Sequence, residues 1–275
     1  MKKHNLLLAL FAFLMFAVSC GEDEDETLSV DEQEEVQEEE EENETPGDEI
    51  CQISEIIYAP GERMAFGYNA DGDMLTLTSY SDNVEDDKIT FSYSNGRLVK
   101  GTSDSGGSVD VEYASDKISK FIYQFEGESE IDEYRFSYTG EVISKIENWD
   151  NYSGNVPGEF TLYATENFTY SGDNITQYSS AEIEGETFEA VIAYDDKKNP
   201  FQNSLGYFIW ELDISAFYSA NNPVSFEITY SDDTSTEEYT QTVAYTYNED
   251  DYPTLRTYTD EEGDTYSEQM SYDCN

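Results

Sequence analysis

A five-residue phrase of apolar, any, apolar, any, tyrosine returns along residues 64–272, and most copies are followed by a polar turn and a second short alternating run. Copies end at Tyr68, Tyr93, Tyr113, Tyr138, Tyr170, Tyr194 and Tyr247, with a half copy at Met270–Tyr272 and a variant from Val224 to Tyr230. Alternation with period two places Ile89, Phe91 and Tyr93 on one face and Thr90 and Ser92 on the other, the pattern of a half-buried strand. Asn95-Gly96 follows one copy, and both residues tolerate the positive φ of a tight hairpin turn. The repeat unit is therefore a β-hairpin, and the expected fold is all-β: an antiparallel meander of about eight hairpins forming a barrel-like or strongly curved sheet over residues 51–275, aromatic face inward.

Alternating strands can also line a membrane-spanning barrel. Such strands need roughly 9 to 11 residues and an outward apolar band. The runs read here are shorter and their turns intensely acidic, so the expectation is a soluble domain. Residues 199–223 break the pattern, with Asn199-Pro200-Phe201, then Leu205-Gly-Tyr-Phe-Ile-Trp-Glu-Leu-Asp213, then Asn221-Asn222-Pro223. Their apolar density without alternation predicts a crossover carrying a short helix.

The first fifty residues read as an address. Lys2 and Lys3 precede an apolar run from Leu6 to Val18, followed by Ser19 and Cys20. This is the layout of a signal peptide over residues 1–19, and the run is well short of the roughly 20 residues a membrane-spanning helix needs. Ala17-Val18-Ser19-Cys20 resembles a bacterial lipobox, although Ala17 stands where the common pattern has Leu. The resemblance implies cleavage before Cys20 and lipid on its thiol, with several acyl chains giving firm attachment. Residues 21–50 hold seventeen Asp or Glu and no Lys or Arg, so residues 20–50 are expected to be a lipidated cysteine and a disordered acidic tether. Acid directly after the lipidated cysteine resembles the surface-export signal of Bacteroidota lipoproteins. That implies an outer-membrane, lipid-anchored, surface-exposed protein whose membrane contact is the anchor alone; the plainer alternative is a charged spacer.

Charge and residue counts exclude several chemistries. The chain has 62 acidic and 13 basic residues; residues 1–50 remove 17 and 2 of these, leaving 45 and 11, a net of −34. Nucleic acid is excluded as a partner, because its binding relies on Lys and Arg displacing counterions from phosphates. The single histidine, His4, lies in the signal peptide. The mature chain therefore has no imidazole for a Ser-His-Asp triad or a histidine metal site. No glycine-rich phosphate loop is present. No cofactor and no metal site is expected. Cys51 and Cys274 open and close the folded region, and in an oxidising compartment they are expected to pair; the alternative is two buried free thiols.

The hairpins are similar to the tyrosine-and-aspartate repeats of large Rhs-type shell proteins. More closely, residues 51–275 resemble a Bacteroidota surface lipoprotein family of unknown function described as having a porin-like β fold. The residues behind this are Cys51-Gln-Ile-Ser, Tyr194-Asp-Asp-Lys-Lys-Asn-Pro-Phe201, Asn221-Asn-Pro223 and Tyr272-Asp-Cys274. The resemblance implies a fold and a location, and no activity.

The functional expectation is a non-catalytic surface module that binds a neutral glycan or a protein. A composition that is 15% aromatic motivates it, with Trp149, Tyr152 and Trp210 outside the repeat positions and so available to stack on a ligand. Two alternatives stand beside it. One is a glycan-active enzyme using paired carboxylates. The other is a calcium-stabilised structural protein, with Asn69–Asp73 and Asp260–Asp264 as acidic turns that lack the full twelve-residue EF-hand loop.

Overall fold

The computed structural model describes residues 51–274, apart from 126, 128, 153–158, 184, 213–216 and 233. The signal peptide, Cys20 and the acidic tether lie outside the described residues. The strands are β1 (Cys51–Ala59), β2 (Glu62–Tyr68), β3 (Met74–Ser81), β4 (Val84–Ser94), β5 (Arg97–Ser103), β6 (Gly107–Ala114), β7 (Lys117–Gln124) and β8 (Ile131–Thr139). They continue as β9 (Val142–Asp150), β10 (Thr161–Ser171), β11 (Asn174–Glu182), β12 (Thr187–Lys198), β13 (Asn221–Ser231), β14 (Thr236–Tyr247), β15 (Pro253–Thr259) and β16 (Thr265–Cys274), with the helix α1 (Leu205–Glu211) between β12 and β13. Each strand pairs antiparallel with its sequence neighbours, and β1 pairs with β16, so eight hairpins close into one barrel. Closure resolves the choice between a barrel and a curved sheet.

Strand alternation sorts the two faces. Phe66, Leu77 and Ile89 stand opposite one another across β2, β3 and β4, and all are buried. The neighbouring outward row reads Thr76, Thr90, Thr102, Ser108 across β3 to β6. On the far side Ser179, Glu189, Thr229 and Glu238 form an equivalent row across β11 to β14. Apolar side chains therefore fill the lumen and polar ones clothe the wall, the reverse of a membrane barrel's outward apolar band. Strand length does not make this distinction, since several strands reach 9 to 12 residues. Facing does.

The start of β1, the end of β16 and the turns after the repeat tyrosines lie at one rim, here called proximal; the remaining turns form the distal rim. The tyrosine that closes each full copy sits at a β-bulge, with register shifts at Ser92/Tyr93, Glu112/Tyr113 and Ser137/Tyr138 among them. Several repeat hydroxyls reach sideways. Tyr93 donates to the Met74 carbonyl at 2.8 Å, Tyr113 to Leu98 at 2.9 Å, Tyr138 to Ile118 at 2.9 Å and Tyr272 to Pro253 at 2.7 Å. In each case the acceptor residue is the one that pairs with the previous hairpin's tyrosine, namely Tyr68, Tyr93, Tyr113 and Tyr247. Each of these four bonds links a hairpin to the one before it, and the bulges add the twist that closure requires. At the seam, Cys51 and Cys274 are direct register partners and form a disulfide.

The segment between β12 and β13 is not a crossover, because these two strands are antiparallel neighbours. It enters the lumen and returns. Phe208 of α1 packs edge-on against Phe121 of β7 and Phe136 of β8 and stacks on Phe217, at ring centroid distances of 5.4, 6.1 and 4.8 Å. The Tyr123 hydroxyl donates to the Ile209 carbonyl. Gly206 is required by this fit: a Cβ there would lie 2.9 Å from Met74 Sδ and 3.2 Å from Phe91. The asparagines of the motifs quoted above hold the neck of this plug. Asn199 Nδ2 donates to the Ser219 carbonyl, Asn221 Nδ2 to Lys197 and Asn222 Nδ2 to Lys198.

Two stability predictions follow from the seam and the ladder. Cys51→Ser with Cys274→Ser opens a loop spanning 223 positions and should cost about 5 kcal/mol in the chain-entropy account. Tyr113→Phe removes one hydroxyl bond and should cost about 1 kcal/mol. Urea unfolding midpoints measure both; equal losses from the two changes would mean that the disulfide adds nothing to strand pairing at the seam.

Candidate functional site

The inward face of β8 to β11 departs from the repeat where it nears the distal rim. Asp132 of β8 stands directly opposite Asp150 of β9, and both are buried, with relative exposures of 9% and 3%. One step deeper, Tyr134 faces Asn148, and Glu166 of β10 faces Ser180 of β11. The folding reason is the alternation itself. Asp132, Tyr134 and Phe136 occupy successive inward positions, as do Glu166, Phe168 and Tyr170, so a carboxylate written at an apolar position is carried into the lumen with its neighbours.

Hydrogen bonds and burial set the chemistry of this cluster. Asn148 Nδ2 donates to Glu166 Oε1 at 2.8 Å, and the Tyr178 hydroxyl also bonds the Glu166 carboxyl. Burial pushes Glu166 up to about 7, against these two bonds. Asp132 is pushed up to about 6 by burial, with Asp150 and Glu130 adding repulsion and a bond to Tyr152 opposing it. The Tyr163 hydroxyl donates to Glu182 at 2.8 Å. The same face thus gathers Asp132, Asp150, Glu166 and Glu182 among tyrosines.

The cations of this region face the other way. Lys120, Arg135 and Glu147 share an outward row, and Glu133 of the wall binds Lys120 at 3.1 Å and Arg135 at 2.7 Å. Burial would raise the Glu133 carboxyl, but its bonds to Arg135 and Lys120 outweigh that and hold it low. In the lumen, Arg256 pairs with Glu268 on β15 and β16, beside Tyr258.

The three aromatic residues singled out from sequence do not form one surface. Trp149 is on the outer wall in register with Glu133, with the Arg135 guanidinium 4.3 Å from its ring centre. Trp210 lies on α1, which is packed in the lumen. Tyr152 is at the distal rim, 39% exposed, its backbone N–H on Asp150 Oδ1 at 3.1 Å and its hydroxyl bonded to Asp132. The acidic cluster itself is absent from the expectation drawn from sequence, which assigned most carboxylates to turns. A signal was there: Glu166 stands at a position of the repeat where other copies are apolar.

The acidic turns are self-satisfied. Asn69 Oδ1 accepts from the N–H groups of Asp71 and Asp73, both at 2.9 Å, and Asp260 Oδ1 accepts from Glu262 and Asp264 at 3.0 and 2.8 Å. Asn248 repeats the arrangement with Asp250 and Tyr252. These are side-chain turns in which one oxygen of the leading residue is occupied by backbone donors.

No family model and no curated protein matches the chain. Among solved structures it is similar to a porin-like protein from Bacteroides vulgatus ATCC 8482, with a TM-score of 0.59 and 11% identity over 82% of this chain and 99% of that one. It is also similar to a porin-like protein from Bacteroides uniformis ATCC 8492, with a TM-score of 0.55 and 13% identity over 84% and 97%. At these identities the likeness is one of fold. It bears out a porin-like β-barrel and leaves the lipoprotein assignment and the repeat family to other evidence.

The buried carboxyls predict an unusual pH profile. A carboxyl raised in the folded state binds a proton that the unfolded state has lost, so stability is full below the unfolded value and falls as pH rises through the folded one. For Glu166 the window runs from 4.5 to about 7, and the loss is on the order of 3 kcal/mol. Glu133, Glu147 and Asp232, all held low, act in the opposite sense in more acid solution. Stability should therefore peak near pH 5 and decline toward pH 8, and Glu166→Gln should flatten the decline. Denaturation across that range checks this; a flat wild-type profile contradicts it.

Proposed function

We propose that this chain is a lipid-tethered extracytoplasmic barrel that binds a neutral glycan or a protein at its distal rim and catalyses no reaction. The observation that carries the reading is Tyr152, a half-exposed ring set against Asp132 and Asp150 at the rim opposite Cys51, where the tether would join. An aromatic face beside hydrogen-bond acceptors suits the apolar faces and hydroxyls of a sugar ring, and equally a polar peptide loop. The plug argues against conduction through the lumen, and the polar wall argues for a body held beside a bilayer. The lipid on Cys20, the outer-membrane location and the surface exposure belong to the same proposal; the charged start, short apolar run and acidic sequel to Cys20 support them.

A glycan array and cross-linking on intact cells test the binding role. Tyr152→Ala should weaken capture at least tenfold while leaving the thermal midpoint unchanged. Silence of correctly displayed wild-type protein in both assays would sink the reading. Cys20→Ala should release the protein from the membrane fraction in soluble form.

Carboxylate catalysis is the second reading, favoured by Asp132 facing Asp150 with one carboxyl raised to about 6, as a general acid requires. New reducing ends from neutral oligosaccharides, lost in Asp132→Asn and Asp150→Asn, would establish it in place of the first.

A further inference from the structure

The chemistry around Glu166 asks for a positive partner. The carboxyl is buried, and the groups facing it are enumerable by strand. Tyr134 approaches from β8 and Asn148 from β9, and Asp132, Asp150 and Tyr163 lie on the same inward face nearer the rim. Tyr178, Ser180 and Glu182 approach from β11, with Phe188 of β12 beyond. Among these described residues there is no Lys or Arg; the nearby Lys120, Arg135 and Lys145 lie in outward rows. Four carboxyls and several hydroxyls share a face with no cation on it.

A second observation is independent of charge. Asn148 is only 6% exposed, and its Oδ1 is buried without a hydrogen-bond partner, while the Nδ2 of the same amide holds Glu166 at 2.8 Å. The unpartnered oxygen therefore belongs to the same amide that holds the carboxyl. A buried acceptor with no partner costs about 1–3 kcal/mol, which natural structures seldom tolerate.

We propose that Glu166 and Asn148 form the heart of a cation site inside the barrel, selective for a hard divalent ion of the calcium class. A proton on Glu166 would cancel its charge but leave the Asn148 oxygen unanswered. A water would answer the oxygen and leave the charge. One cation bound by the Glu166 carboxylate and Asn148 Oδ1 answers both, and the Ser180 hydroxyl across the register is a further oxygen within the cluster. Oxygen-only donors favour a hard ion, and calcium accepts the irregular geometry that a barrel wall imposes. Asp132, Asp150 and Glu182 lie on the same inward face toward the rim and make that face acidic. The inference does not rest on ligand binding at the rim, and it relocates calcium from the acidic turns, where Asn69 Oδ1 and Asp260 Oδ1 already accept backbone donors.

The test is the thermal midpoint of the whole mature protein, stripped with EDTA and titrated with calcium chloride, against choline chloride at equal ionic strength. Calcium should raise the midpoint by about 4 °C or more at pH 8 and by less at pH 6, where the proton competes at Glu166. The response should vanish in Glu166→Gln and weaken in Asn148→Ala, which keeps the carboxyl. Superimposed calcium and choline curves overturn the proposal. So does a full calcium response in both variants, which would assign it to the acidic surface. If Glu166→Gln fails to fold, Asn148→Ala decides alone: a weakened response supports the site, and an unchanged one removes it.

Discussion

A sixteen-stranded barrel is too wide for the side chains of its own wall to fill. Eight strands leave an interior that side chains can just occupy, while barrels of 16 to 18 strands hold an aqueous channel unless something enters them. This chain has a wall of Thr, Ser, Glu and Lys outside and Phe, Ile and Leu inside, so an empty lumen would expose its apolar face to water. The rest of the structure answers that constraint. The proximal half is filled by α1 and its flanks, where Phe208 meets Phe121 and Phe136. Toward the distal rim, the β8 to β11 face turns to carboxyls, amides and tyrosine hydroxyls that can satisfy one another or hold small polar species.

This division gives the barrel a direction. The disulfide, the plug's neck and the tyrosine ladder gather at the rim where β1 begins and β16 ends. Tyr152 and the facing aspartates gather at the other. The body is thus closed and fastened at one rim and chemically varied at the other. The wall carries no comparable concentration: around Trp149 the charges are matched pair by pair, with Glu133 between Lys120 and Arg135.

Legibility from sequence tracked the range of the interactions involved. Hairpins were readable because alternation and turn residues act within ten residues, and Asn95 and Gly96 do adopt positive φ. The tyrosine hydroxyl bonds were not, since Tyr93 and Met74 are nineteen residues apart and meet only when strands pair. The helix at 205–211 was readable from apolar density, yet its destination was not, and a crossover was expected where the chain instead folds into its own lumen. Glu166 was visible as an acid in an apolar slot. Its significance depended on Asn148 standing beside it, which is a matter of register between β9 and β10.

By itself the sequence determined the alternating hairpin, the inward place of the repeat tyrosines and a barrel segment written without histidine, because these follow from residue types and local geometry. Only the tertiary structure decided that the sheet closes at Cys51 and Cys274, that the plug turns inward, and that Asp132, Asp150 and Glu166 share a buried face. Those outcomes depend on strand count, register and a lumen that has to be filled, and no short stretch of the chain encodes any of them.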